Sequence, residues 1–361
     1  MRYHNDWTRT NIVGIEDITP TVRLFTIAPA RGAIAWTPGS HINVQLDIAD
    51  RKDIRTYSLI DLGAANKGPA DESVANGHYR IAVKRIDDGL GGSMRMWQLA
   101  VGEAITISQP QNQFELGHFE HDVANSPAQT APPVILVAGG IVITPLISMA
   151  RQLAPGRRLI GLHYAVRTRS EAAFAPTLQT WLGARLHLHV ADEGTRMQLR
   201  DVVAALPADT EMMICGPIGM LEDARRIWAE HKRPMENLRF ESFAASGHWP
   251  SRAFKVRIAR LGVELDVPAH QTLLGALEQA GVEVLSDCRR GECGLCAVDV
   301  LRADTPIDHR DVFFSEHEKA GNRKLCACVS RPVGGCIDID TSYRGPASPA
   351  HESQEFAAQP H

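Results

Sequence analysis

The chain has 361 residues, 44% hydrophobic and 22% charged, with 38 Lys and Arg against 42 Asp and Glu for a net charge of -4. That mixture excludes collagen-like, coiled-coil and largely disordered chains, and the balance of charge offers no basic field for nucleic acid or an anionic membrane. No run of about 18 uncharged apolar residues exists, and the opening MRYHNDWTRTN lacks the apolar core of a signal peptide, so the expected location is the cytoplasm. The length suits two or three domains of roughly 100–150 residues.

From Ile12 to about Leu116 the apolar residues mostly alternate, and Pro and Gly recur at short intervals. This is the pattern of a small antiparallel β-barrel. Within it RTYS, Arg55 to Ser58, sets an aromatic ring beside a cation and a hydroxyl, a combination suited to a planar anionic ligand. Further on, YRIAVKRIDDGLGGSMRMW places Gly91, Gly92 and Ser93 where a strand ends and a helix begins. Backbone N–H groups can hold a phosphate there, or the glycines can form a plain turn.

The pattern changes at Val134. VILVAGG is a buried strand ending in two glycines, and IVITPLISMARQLA reads as a helix with Pro145 close to its start. RRLIGLHYAV, RLHLHVAD and EMMICGP supply further strands, separated by helical stretches, so a doubly wound α/β sheet is expected. Gly139, Gly140, Thr144 and Cys215-Gly216-Pro217 would then face one cleft at the carboxyl ends of the strands. The run is not G-x-G-x-x-G and does not carry the ordinary dinucleotide fingerprint. AASGHWPSRA reads as a linker; beyond it FKVRIARLGVELDV is a hairpin turning at Gly262, and TLLGALEQAGV a helix stopping at Gly281. The closing GPASPAHESQEFAAQPH is expected to be disordered.

Six of the seven cysteines lie after residue 287, which is not how a disulfide framework is scattered. CRRGECGLC spaces Cys288, Cys293 and Cys296 as C-x4-C-x2-C, the plant-type [2Fe–2S] order. Gly291 and Gly294 relieve the loop so that three thiolates converge and backbone N–H groups point at sulfur. Spacing alone leaves the fourth ligand among Cys326, Cys328 and Cys336; Cys328 is chosen for its place before Val-Ser-Arg. A zinc site or buried structural thiols is the plainer alternative, although structural zinc usually draws two C-x2-C pairs.

Together these residues resemble the oxygenase reductases of the phthalate dioxygenase reductase type, built in the order flavin, nicotinamide, ferredoxin. The resemblance rests on PGSHINVQL, RTYSL, IAVKR followed by GGS, VAGGIVITPL, CGP, ESF, and the cysteine loop with DHRD and CVSR. It implies a multidomain protein: an antiparallel flavin-binding β-barrel over residues 1–118, a doubly wound α/β nicotinamide domain over 132–245, a linker over 246–253, an α+β ferredoxin domain of β-grasp type over 254–343, and a tail over 344–361. Arg55, Thr56, Tyr57 and Ser58 would line the flavin, with Tyr57 along the ring face and Ser58 at its reactive N5 edge as the residues nearest the chemistry. Ala82, Val83 and Lys84 would contact the flavin chain, and Gly91, Gly92 and Ser93 would receive its phosphate, which favours FMN over FAD. Gly140, Thr144 and Pro145 would form the nicotinamide side of the cleft opposite Cys215, Gly216 and Pro217, with Glu241, Ser242 and Phe243 matching ESF. Cys288, Cys293, Cys296 and Cys328 would hold the cluster.

A nicotinamide gives up two electrons together, whereas an oxygenase iron centre accepts them singly. A flavin followed by a [2Fe–2S] cluster makes the conversion. The resemblance therefore implies an NADH-dependent reductase, working as a monomer, that passes electrons through FMN and the cluster to the terminal oxygenase of a two-component Rieske-type system. The alternatives are an FAD-containing reductase serving another acceptor and a redox or nucleotide sensor. Arg167 and Arg169, after LHYAV, are placed to meet a 2′-phosphate or to be solvated surface residues. Two positions depart from the family: Val142, where glycine is usual and a left-handed backbone would strain valine, and Asp287, whose carboxylate would lower the cluster's potential. Val142→Gly is expected to lower KM for the nicotinamide nucleotide.

Overall fold

The structure, a computed structural model, describes residues 6–48, 51–63, 77–87, 89–116, 131–242 and 249–341; Phe243 and the closing tail lie outside them. The chain divides into two compact units, Met1–Ser246 and Gly247–His361. Among the described residues no helix is long and apolar enough to cross a membrane.

The alternating segment of the first unit forms β1 (Thr8–Thr19), β2 (Val22–Pro29), β3 (Ser40–Ile48), β4 (Arg51–Ser58), β5 (Tyr79–Lys84), β6 (Ala104–Ile107) and β7 (Gln111–Asn112). They pair antiparallel in the order β4-β3-β6-β1-β2-β5, with β7 on β3. Just past β4, Ile60 N donates to Arg80 O at 2.9 Å, which draws the two ends of that order together. Every second side chain points inward, so Ile12, Phe25, Ile27, Ile42, Val44, Ile81 and Ile107 fill the interior.

The continuous apolar runs that follow give a parallel sheet of β8 (Val134–Gly139), β9 (Leu159–Val166), β10 (Leu186–Val190), β11 (Glu211–Gly216) and β12 (Leu238–Ser242), in the order β10-β9-β8-β11-β12. Helices Thr144–Leu153, Ala175–Leu182, Leu199–Ala204 and Ile218–Glu230 connect the strands. The order reverses between β8 and β11, and in doubly wound sheets the carboxyl ends of the strands at such a reversal are where ligands bind. The helix expected straight after the two glycines begins later, because Gly140–Ile143 first makes a 3-10 turn.

Barrel and sheet share one apolar core. Val22, Leu24, Ile60, Ala82 and Phe114 of the barrel pack in the same cluster as Leu146, Ile147 and Met149 of the helix and Leu162 and Tyr164 of β9. Polar groups cross this seam as well. Ser148 Oγ donates to Leu59 O at 3.1 Å and accepts from Asp61 N at 3.0 Å, Arg151 pairs with Asp61, and Lys84 Nζ meets Glu171 Oε1 at 3.0 Å. Burial pushes the Glu171 carboxyl up, but the hydrogen bond and charge of Lys84, joined by Arg167, outweigh it and hold it low.

On the sheet face carrying Gly161, three imidazoles gather. His163 Nδ1 lies 3.0 Å from His189 Nε2, and the His163 and His187 rings stack at 4.5 Å. Burial, then the charges of His187 and His189, push His163 down to about 4.

The second unit holds β13 (Phe254–Ile258), β14 (Val263–Val267), β15 (Ala297–Ala303), β16 (Ile307–Asp308), β17 (Lys324–Cys326), β18 (Arg331–Pro332) and β19 (Cys336–Asp340). Five of these strands form one sheet in the order β14-β13-β19-β15-β17, with β13 and β19 parallel, and β16 pairs with β18. The helix Leu273–Gln279 lays Leu273, Leu274 and Leu277 into the core, its start capped by Thr272 Oγ1 accepting from Gly275 N at 3.1 Å. Two buried arginines pin the entering chain. Arg310 donates to Trp249 O and Ser251 Oγ, both at 3.1 Å, and pairs with Asp308 at 2.7 Å; Arg331 donates to Arg252 O at 2.6 Å and Ala269 O at 3.0 Å.

Two outcomes follow. Ser148→Ala leaves a buried acceptor and a buried donor unmet, about 1–3 kcal/mol, and should lower the melting temperature of the first unit by several degrees in differential scanning calorimetry. His163 must be neutral in the fold but ionises readily when unfolded, so the unfolded chain binds more protons between about pH 6.5 and 4 and stability falls across that window. His163→Phe should flatten that slope in thermal melts recorded at stepped pH.

Candidate functional site

β4 runs opposite β3 with Arg55, Thr56, Tyr57 and Ser58 facing Val44, Asn43, Ile42 and His41 in register. Thr56 Oγ1 hydrogen-bonds Asn43 Oδ1 at 2.7 Å, fixing that hydroxyl. Tyr57 packs on the barrel core, and burial, partly offset by Arg55, pushes its phenol above the usual range. Ser58 Oγ is buried and meets no hydrogen-bond partner among the described residues. Such a hydroxyl costs about 1–3 kcal/mol if left dry, and a flat heteroaromatic ring with polar edge atoms would satisfy it.

Arg55 folds over the next loop, donating from Nη2 to Leu90 O at 3.0 Å and pairing with Asp53 at 2.7 Å. It comes so near because residue 92 is glycine: a Cβ there would lie 2.4 Å from Arg55 Nε. The turn Gly91-Gly92-Ser93 thus lies against a guanidinium, and the first turn of the helix Gly92–Trp97 leaves N–H groups without intrahelical partners. Ser93 Oγ is engaged by Ile86, accepting from its N at 3.1 Å. The groups this turn offers an anion are therefore its N–H groups and Arg55. Ala82 and Val83 are buried in β5, while Lys84 turns to Glu171 across the seam.

At the switch point, β11 pairs with β8 through Cys215 and Ala138 and with β12 through Cys215–Glu241 and Gly216–Ser242. One edge thereby gathers Gly139, Gly140, Thr144, Pro145, Cys215, Gly216, Pro217, Glu241 and Ser242. Cys215 Sγ donates to Glu241 O at 3.1 Å, so this thiol is held inside the strand layer. A Cβ on Gly139 would lie 2.8 Å from Pro217 Cδ, and one on Gly216 would lie 2.5 Å from Met220 Sδ. The strain expected at Val142 is absent: the left-handed residue of the loop is Gly140, at φ 68°, whereas Val142 sits in the 3-10 turn and packs on the shared core.

In the second unit, Arg290 N, Glu292 N and Cys293 N each lie 3.4 Å from Cys288 Sγ. Cys296 Sγ and Cys328 Sγ are 3.1 Å apart. Hydrogen bonds from the Cys326 and Cys328 thiols pull Cys296 down to about 4, and a bond to Cys288 pulls Cys293 down to about 6, both against burial. The same bonds, with burial, push Cys288, Cys326 and Cys328 up, so within each bonded group one sulfur is favoured as thiolate while its partners keep their protons. Cys336, by contrast, lies in β19 in register with Lys255 and bonds the Asp304 segment. Cys326 ends β17 opposite Ala297, close enough to hydrogen-bond Cys296. The loop closes over this set only because two positions lack side chains. Gly291, at φ 76°, would put a Cβ 2.6 Å from Val329, and Gly294, at φ 72°, one 2.3 Å from the Phe313 ring.

Several of these contacts are not visible in the motifs. Met220 fills the space above the two strand-end glycines, its only signal being its place three residues after Pro217 at a helix start. Asp311, fully buried beneath Gly291, accepts from Ser330 Oγ at 2.8 Å and Phe314 N at 3.0 Å; burial pushes its carboxyl up, but His309 and these donors hold it low. His309 Nε2 lies 3.0 Å from Asn322 Oδ1. DHRD, Asp308 to Asp311, is the sequence signal of this buried network.

The 2Fe-2S iron-sulfur cluster binding domain family matches residues 256–333. The chain is 34% identical to the heme-dependent oxidative N-demethylase beta subunit of Ectopseudomonas mendocina, over 91% of this chain and 97% of that protein. It is 33% identical to the carnitine monooxygenase reductase subunit of Escherichia coli, over 90% and 96% of the two chains. Among solved structures, phthalate dioxygenase reductase, described as modular for electron transfer from pyridine nucleotides to [2Fe–2S], superposes with a TM-score of 0.71 at 28% identity, covering 93% of this chain and 98% of that one.

Gly92→Ala should push Arg55 from the turn. Loss of one charge-assisted contact weakens flavin binding roughly 10- to 100-fold, so purified protein should carry less released flavin per chain while its iron content is unchanged.

Proposed function

The chain belongs to the oxygenase reductases of the phthalate dioxygenase reductase type, and on that premise we propose that it carries electrons from NADH through FMN and a [2Fe–2S] cluster to the terminal component of an oxygenase or demethylase. The observation that carries this reading is the glycine-cleared loop in which backbone N–H groups point at Cys288 Sγ and a second pair of sulfurs meets at Cys296 and Cys328. When bound, the flavin takes up a hydride and gives out single electrons, which the cluster passes on.

The protein's part is placement. Arg55 and the N–H groups of Gly91–Ser93 would hold the flavin phosphate, whose double charge suits an arginine. Tyr57, kept neutral by burial, would lie along the ring. Ser58 Oγ would meet the polar edge atom that accepts the hydride, since it is buried and otherwise unmatched. Gly140, Thr144 and Pro145 on one side and Cys215-Gly216-Pro217 on the other would hold the nicotinamide end, with Glu241 and Ser242 at the end of β12. The crevice edge needs small residues at Gly139 and Gly216 because Met220 and Pro217 already fill the space behind them.

Cys288, Cys293, Cys296 and Cys328 would be the cluster ligands. Delivery of single electrons suits a haem acceptor, as in the Ectopseudomonas relative's name, as well as the Rieske-type oxygenase expected from the motifs. All three sites lie on one polypeptide, so the chain is proposed to work as a monomer, in the cytoplasm.

The test is anaerobic addition of NADH to the purified holoprotein, with flavin and cluster absorbance both expected to bleach and the reduced sample to give a [2Fe–2S] EPR signal. Cys328→Ala should lose that signal while flavin bleaching persists, and Cys326→Ala should keep it. Absence of bleaching in the wild type would defeat the function, and an EPR signal surviving Cys328→Ala would defeat the ligand assignment.

A further inference from the structure

A dinucleotide spread across the crevice of a doubly wound sheet sets its adenosine ribose at the end of the strand beside the central one, where a carboxylate favours the 2′-hydroxyl and an arginine the 2′-phosphate. That strand is β9, which ends at Val166 and runs into Arg167-Thr168-Arg169-Ser170-Glu171. The loop after β10 is tied to it, Asp192 N donating to Arg167 O at 3.0 Å.

Both signs of charge are present here, but they are not equally available. Glu171 is held by Lys84. Arg169 is gripped through its fork by Glu193, Nε to Oε1 at 2.7 Å and Nη2 to Oε2. This is the bidentate face with which an arginine takes a phosphate. Arg167 is exposed beside them.

We propose that the Arg169–Glu193 pair is a specificity latch that makes this reductase select NADH over NADPH; the proposal rests on reading the crevice as the nicotinamide nucleotide site. Glu193 fills the guanidinium fork, and its carboxylate together with that of Asp192 repels a 2′-phosphate. An exposed ion pair is intrinsically weak, about 0–1 kcal/mol. The selectivity therefore comes from the position of the carboxylate rather than from a strong bond, and one substitution suffices to open the latch.

The experiment is steady-state reduction of ferricyanide by the holoprotein with NADH or NADPH, for the wild type, Glu193→Gln and the double variant Glu193→Gln with Arg169→Ala. Glu193→Gln should raise the ratio of kcat/KM for NADPH over NADH about tenfold, the scale of one charge-assisted phosphate contact, mainly through KM for NADPH. The double variant should return the ratio to the wild-type value. An unchanged ratio in Glu193→Gln with normal NADH turnover overturns the latch, as does a gain that survives loss of Arg169. A wild type that oxidises neither nucleotide would remove the nicotinamide reading itself, and the latch with it.

Discussion

One hydroxyl holds the first unit in register. Ser148 Oγ joins Leu59 O and Asp61 N, and Leu59 is the residue directly after Ser58, while Ser148 lies one helical turn beyond Thr144. The strand proposed to line the flavin and the helix proposed to line the nicotinamide are thus bonded through a single buried atom. A hydride passes only between partners already in contact, about 3–3.5 Å apart. A loose hinge between barrel and sheet would forfeit that alignment. The shared apolar core, in which Ile60 and Ala82 pack with Leu146 and Met149, makes the two layers one body.

Charge follows the same plan. The ion pairs at the seam, Arg151 with Asp61 and Lys84 with Glu171, sit beside the shared apolar core and neutralise one another there. The loops after β9 and β10 carry Arg167, Arg169 and the acidic residues Asp192 and Glu193, with Arg169 paired to Glu193. Lys84 therefore ties β5 of the barrel to the loop after β9.

Much of this was legible in the chain because certain residue types have few other uses. A left-handed glycine between two cysteines, with no room for a Cβ, leaves a strong mark in sequence, and so does a strand ending in two glycines. The barrel and the doubly wound sheet were legible from alternation and from unbroken apolar runs. The seam was not, because Ser148 looks like any serine in an amphipathic helix and its partners are backbone groups some 90 positions away. Val142 misled for a related reason: glycine at a position invites a guess about φ, but the backbone turns at Gly140 instead. Spacing carries no information on which strand end returns to the loop: the register sets Cys336 in β19 beside Lys255, while Cys326 and Cys328 both reach Cys296, so the choice of Cys328 rests on its place before Val-Ser-Arg.

The pinning of the second unit's entry by Arg310 and Arg331 sets where that unit can be cut free. Both guanidinium groups are buried, and their carbonyl partners at Trp249 and Arg252 lie upstream of the first strand. A fragment trimmed to start at Phe254 would leave Arg310 with Asp308 alone and Arg331 without its Arg252 carbonyl, each buried cation short of part of its partners, whereas one that begins before Trp249 keeps them all. An excised miniature electron carrier, or a graft of it onto another reductase, must bring those few residues along.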